Sequence, residues 1–120
     1  MNGEDKLATI ISRNELKIKI DEGLSNYVLV DVREKDELKF GMIPTAINIP
    51  LDELESKLSD SNKFDKSMEI IFYCRTGARS SVASEKATGL GFVNVKNYRG
   101  GIWDWSEIDS NVRRYGPRPN

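Results

Sequence analysis

Ile70-Ile71-Phe72-Tyr73-Cys74-Arg75-Thr76-Gly77-Ala78-Arg79-Ser80-Ser81-Val82-Ala83-Ser84-Glu85-Lys86-Ala87 is the stretch that decides the fold. Residues 70–73 form an unbroken apolar run of β-branched and aromatic side chains, the pattern of a strand buried on both faces. From Ser80 onward the residues read as a helix. A strand that hands over directly to a helix belongs to an α/β domain with a mostly parallel sheet, whose ligands sit at the carboxyl ends of the strands. Cys74 stands at that handover. The first-turn N–H groups of a helix have no partner within it and its dipole is positive there, so a negatively charged sulfur is favoured. Gly77 permits backbone angles that other residues resist, and Arg75 and Arg79 can fork onto oxyanions, so thiol and anion cradle share one loop.

The rest of the composition narrows the chemistry. Cys74 is the one cysteine and the chain has no histidine. A Cys–His dyad, a histidine-ligated metal, a CxxC redox pair and an internal disulfide are therefore all excluded. Activation of the sulfur has to come from loop amides, the helix dipole and the arginines. With 120 residues and a hydrophobic share of 38%, the chain fits one domain over residues 1–120, with its core at about 8–108 and a tail at 109–120. Eighteen Lys and Arg against nineteen Asp and Glu leave no basic field for nucleic acid. The start, Met1-Asn2-Gly3-Glu4-Asp5-Lys6, has neither the apolar core of a secretory signal nor the acid-poor composition of a transit peptide, and no segment is long and apolar enough to span a bilayer. A reducing compartment such as the cytoplasm is expected, an organelle remaining open.

Outward from the central stretch, residues 7–11 read as a short strand. Ser12-Arg13-Asn14-Glu15 is a capping box opening a helix that Gly23 ends. Tyr27-Val28-Leu29-Val30-Asp31-Val32 is a second buried strand, with Asp31 and Arg33 at its exit. Two helical turns over 34–40, closed by Gly41, lead to a brief strand at 46–49 stopped by Pro50. Leu51, Leu54 and Leu58 share one helical face, and 59–67 is a polar surface loop. Residues 92–97 form the last strand, 102–105 a final helical turn, and 113–120 a tail outside the core.

Four blocks carry a family resemblance: Val30-Asp31-Val32-Arg33 with Glu34 and Glu37; Gly41-Met42-Ile43-Pro44-Thr45-Ala46-Ile47-Asn48-Ile49-Pro50; the loop 74–80; and Gly100-Gly101 with Trp105. In order and spacing they resemble the rhodanese-like domain family, specifically its small single-domain sulfurtransferases. The resemblance implies a three-layer α/β/α domain with a central, mostly parallel, five-stranded sheet. It also implies that Cys74 takes sulfane sulfur from thiosulfate or a persulfide donor, holds it as a persulfide, and passes it to cyanide or to a thiol such as glutathione or thioredoxin. No cofactor or metal is implied. The family's loop amides, which hold the terminal sulfur, map onto Arg75, Thr76, Gly77, Ala78 and Arg79, with Ser80 beside them. Losing one such donor costs roughly 3 kcal/mol of transition-state stabilisation. The family often has histidine and glycine where this chain has Met42 and Thr45.

Several readings stay open at this stage. Asp31 either orients Arg79 or caps the turns that begin at Glu34. Arg75 either attracts an anionic donor or is solvated. Trp105 is expected in the core, and Trp103 is undecided between pocket and core. Two rival functions compete: a noncatalytic rhodanese-like regulatory or protein-binding module, and a cysteine-dependent phosphatase or arsenate reductase. Phosphatase loops place five residues between cysteine and arginine, whereas four, residues 75–78, separate Cys74 from Arg79. The module reading conflicts with an intact cysteine loop.

Overall fold

The computed structural model describes residues 8–120, so Leu7 and the amino-terminal segment discussed above lie outside the described residues. β4 (Glu69–Tyr73) is buried at all five positions, with a strand on each side and helices on both faces. β2 (Tyr27–Asp31) pairs with it in parallel from Tyr27↔Glu69 to Asp31↔Tyr73, and β5 (Asn94–Asn97) pairs with it from Glu69↔Asn94 to Phe72↔Asn97. β3 (Ile47–Asn48) flanks β2 and β1 (Thr9–Ile10) flanks β5, giving a five-stranded parallel sheet in the order β1-β5-β4-β2-β3. The two edge strands are two residues each, so little unpaired backbone is offered for edge-to-edge association.

Alternation along the strands divides the core between two layers of helix. On one face Ile70, Phe72 and Cys74 meet Leu54 and Leu58 of α2 (Leu54–Leu58) and Ala83 and Ala87 of α3 (Ala78–Gly89). On the other, Ile71 and Tyr73 meet Leu16 of α1 (Arg13–Asp21) and Ile102 and Trp105 of α4 (Gly101–Trp105). Phe72 and Ile71 are wholly buried, and each such side chain contributes about 1.5–3 kcal/mol. Cys74, one step beyond Tyr73, follows the parity of Phe72 and so turns toward α3.

Local signals acted as their chemistry requires. Ser12 and Glu15 satisfy each other's free amides at the start of α1, and Gly23, with φ of 66°, follows its end. Residues Lys35–Phe40 form a 3-10 helix, two turns long, ending at Gly41. Thr45 is the one non-glycine among the described residues with positive φ (73°), a conformation costing roughly 1–2 kcal/mol. Its hydroxyl lies 3.0 Å from that of Tyr27, which helps fix this turn where the family resemblance expects glycine.

Three expectations are corrected. Residue 92 opens no strand: the Phe92 amide closes α3 on the Ala87 carbonyl and its ring enters the core. The polar loop before β4 buries Phe64. The segment after α4 is also no loose tail. Val112 is 3% exposed, Tyr115 packs against the same cluster, and the Arg113 amide donates to the Phe40 carbonyl at 2.8 Å. Gly41 permits this crossing, because a Cβ there would stand 2.3 Å from the Asn111 carbonyl oxygen.

Candidate active site

The site begins where β4 stops. Gly77 takes φ of 108°, which swings the chain from the strand exit into the first turn of α3. Any side chain at that position would meet the Arg99 carbonyl oxygen 2.8 Å away. The turn aims two amides at the sulfur: Cys74 Sγ accepts from Gly77 N at 3.1 Å and from Ser80 N at 3.4 Å. The thiol donates toward Ser80 Oγ at 3.7 Å, and that hydroxyl donates to the Gly77 carbonyl at 3.2 Å. The Cys74 and Arg75 carbonyls accept from Ile102 N and Trp103 N, so α4 fixes the first half of the loop. Cys74 is 2% exposed. The sulfur thus lies at the positive end of a twelve-residue helix, with backbone donors already in place for a negative charge there.

Arg79, at the far end of the loop, makes a bidentate pair with Glu37 at 2.6 and 2.9 Å. Its guanidinium pKa is raised, first by this pair and, among lesser causes, by the charge of Cys74. Glu37 is correspondingly lowered to about 2, chiefly by Arg79, with help from the Glu34 amide and the Tyr115 hydroxyl. Asp31 does not reach across to Arg79, as one sequence reading expected. It is fully buried against Arg33, its Oδ2 accepting from Nη2 at 2.7 Å and its Oδ1 from Nε at 3.0 Å. The adjacent strand exit lets the carboxylate and guanidinium fold onto each other two residues apart. The Arg33 amide also donates to Oδ1, so Asp31 does not cap the Glu34 turns.

Arg33 is as satisfied as an arginine can be. Nε and Nη2 hold Asp31, Nη2 also reaches the Gly41 carbonyl at 2.7 Å, and Nη1 donates to the Glu37 carbonyl and the Tyr115 hydroxyl. Burial disfavours its charge, yet the bonds to Asp31 outweigh burial and its pKa is raised. Next to it, burial first and Asp31 second push the Tyr73 phenol up, and its oxygen accepts from the Ile43 amide at 3.0 Å. Arg33 is therefore a buried brace for the site.

Arg75 is half-buried and anchored through one guanidinium nitrogen. Its Nη1 donates to the Tyr115 and Pro117 carbonyls at 2.8 and 2.9 Å, and its guanidinium lies 5.8 Å from the ring centres of both Trp103 and Tyr115. Trp103, undecided in the sequence, is half-buried beside Arg75, whereas Trp105 is in the core. Three guanidiniums, of Arg33, Arg75 and Arg79, face two carboxylates, of Asp31 and Glu37, so these groups can balance a negative charge on the Cys74 sulfur.

Of the residues singled out from the sequence, Cys74, Gly77 and Ser80 come together around the sulfur. Thr76 is half-buried and Ala78 exposed on the loop's rim. From the sequence, Glu37 is named only as part of a resembling block and Tyr115 is given no role. For Glu37 the available signal was the Glu34/Glu37 pair, three apart, which forms a capping box. For Tyr115 there was only an aromatic residue inside an arginine-rich segment.

A parallel sheet whose central strand ends in a cysteine, with loop amides turned onto the sulfur and an arginine closing the loop, defines an α/β domain built for chemistry on sulfur. Residues 12–108 match the rhodanese-like domain model, and the chain belongs to that family. It is 32% identical over 115 residues to the thiosulfate:glutathione sulfurtransferase of Homo sapiens, covering 86% of this chain and 97% of the relative. It is 37% identical over 97 residues to the adenylyltransferase and sulfurtransferase UBA4 of Meyerozyma guilliermondii, where it matches 76% of this chain but spans only 23% of that longer protein. Among solved structures, a human single-domain sulfurtransferase superimposes with a TM-score of 0.74 at 32% identity, covering 85% of this chain and 98% of the other. Among the described residues no helix is long and apolar enough to cross a membrane.

Proposed function

We propose that the protein is a thiosulfate sulfurtransferase working through a persulfide on Cys74. The observation that carries this reading is the sulfur held by the Gly77 and Ser80 amides at the amino end of α3. The Cys74 thiolate attacks the outer sulfur of thiosulfate. The S–S bond of the donor breaks, sulfite leaves with the bonding pair, and Cys74 carries a persulfide anion. An acceptor thiolate or cyanide then attacks the outer sulfur of the persulfide and regenerates the Cys74 thiolate. The amides of residues 75–79 and the Ser80 hydroxyl stabilise the charge on the terminal sulfur, and the Arg79 guanidinium favours an anionic donor. The four residues between Cys74 and Arg79 make a loop sized for one added sulfur.

With no second cysteine to resolve the persulfide, the acceptor is an external nucleophile. The human relative's name specifies glutathione, and a small thiol of that kind is the acceptor we infer. A lone working thiol fits a reducing compartment, cytoplasmic or inside an organelle. Initial rates with thiosulfate and cyanide varied together should give parallel double-reciprocal lines, as two separate half-reactions require. Intersecting lines would mean that both substrates must be bound at once, and the persulfide cycle would fall.

A further inference from the structure

The family model ends at residue 108, yet the following segment reaches the centre of the site. One residue of it touches the supports of both ends of the cysteine loop. The Tyr115 carbonyl accepts from Arg75, the first residue after Cys74. The Tyr115 hydroxyl donates to Glu37 Oε1 at 2.8 Å, and Glu37 is the carboxylate that grips Arg79, the last basic residue of the loop. The same hydroxyl accepts from Arg33 at 3.1 Å, which orients its proton toward Glu37. Its ring stacks on Phe40 at 4.0 Å between centroids and 8° between planes, on the 3-10 helix that carries Glu37. Arg75 in turn lies close to both the Tyr115 and Trp103 rings.

A carboxylate free to rotate would leave Arg79 swinging with it. Here Glu37 is fixed by the Glu34 amide, by Arg79 and by Tyr115, and only the last of these lies outside the neighbourhood of the loop and its facing turn. We propose that Tyr115 is a positioning residue for sulfur loading: through Glu37 and Arg75 it sets both arginines of the Cys74 loop, so that Arg79 meets an incoming dianionic sulfur donor in one fixed orientation. The proposal rests on the sulfurtransferase reading for its substrate, but the placement of Arg79 can be read without it.

Tyr115→Phe is the informative variant, because it keeps the stack on Phe40 and removes only the hydroxyl. Its melting temperature should stay near that of the parent. Its single-turnover loading by thiosulfate should fall about fivefold in kcat/KM, mostly through KM, as expected for one hydrogen bond acting through a charged pair. Discharge of the loaded persulfide to cyanide should change far less. In a Glu37→Gln background the same substitution should have no further effect, because its link to Arg79 is already cut. Equal losses in loading and discharge, full additivity with Glu37→Gln, or unchanged loading would each overturn the proposal.

An activity-independent readout separates this from the function itself. The rate of Cys74 alkylation by iodoacetate relative to neutral iodoacetamide reports the positive field at the sulfur. Tyr115→Phe should lower that ratio by about threefold as Arg79 loses its fixed place. If the parent takes up no sulfur, the sulfurtransferase reading fails while this ratio still decides the proposal; an unchanged ratio refutes the positioning role.

Discussion

The two ends of the parallel sheet each carry a buried carboxylate held by cations, and they are built for different ends. At the amino end Glu69, 7% exposed, is shared by Lys19 at 2.7 Å and by Lys96, flexible side chains whose ammonium groups remain partly in water. At the carboxyl end Asp31 and Arg33 are fully buried and every N–H of the guanidinium has an acceptor. The first arrangement only neutralises a strand-end carboxylate. The second extends, through Glu37 and Tyr115, to the loop that holds Cys74. Planar, always-charged arginine can transmit orientation, whereas lysine acts as a point charge. One end of the sheet is thus a stabilising clamp, and the other a scaffold for chemistry.

The sharpest way to break that contrast is Arg33→Met, which strands Asp31 without a counter-charge. A loss of roughly 3–5 kcal/mol in urea unfolding is expected, together with loss of sulfur loading. Stability close to the parent's would show that the brace is dispensable. Next comes Arg79→Ala, which should slow loading by about a hundredfold, the size of one missing transition-state contact, while unfolding shifts by about 1–2 kcal/mol, less than for Arg33→Met. A collapse of the fold would instead assign Arg79 to structure. At the amino end, Glu69→Gln should cost about 1–2 kcal/mol, because both lysines keep water, and should leave loading unchanged. Altered loading would erase the distinction between the two ends.

Acid should give the smallest effect. Glu37 in the folded protein is held at about 2 against an ordinary 4.5, so the bonds to Arg79 contribute fully above pH 4.5 and are lost as pH falls from there toward 2. Burial raises Glu69, but Lys19 and Lys96 prevail and it too is lowered, so its contribution also fades as pH falls below its ordinary value. Urea midpoints measured downward from pH 6 should decline, and Glu37→Gln should flatten part of that slope. An unchanged slope would show that the Glu37–Arg79 pair contributes nothing to stability.

Legibility in the sequence followed the range of the interaction. Strand 70–73, the capping box at Ser12, the turn at Gly77 and the position of Cys74 are fixed by neighbours within a few residues, and each was readable. The pairing of Arg79 with Glu37 spans 42 positions and that of Arg75 with the Tyr115 carbonyl spans 40, and no local pattern encodes either. Asp31 reads as a carboxylate beside the site, open between orienting Arg79 and capping the Glu34 turns; it does neither, because Arg33 two residues away folds back onto it once buried. The segment 113–120 looked solvent-borne from its arginines. What docks it is Val112, the Tyr115–Phe40 stack and carbonyls that accept from Arg75, features invisible in composition.

The central claim is that Cys74 carries sulfur covalently between two half-reactions. Intact mass of the purified protein after exposure to thiosulfate, and again after cyanide, tests it directly. The expected result is a gain of one sulfur atom that cyanide removes and that Cys74→Ser never shows; an unchanged mass, or the same gain in Cys74→Ser, would contradict it.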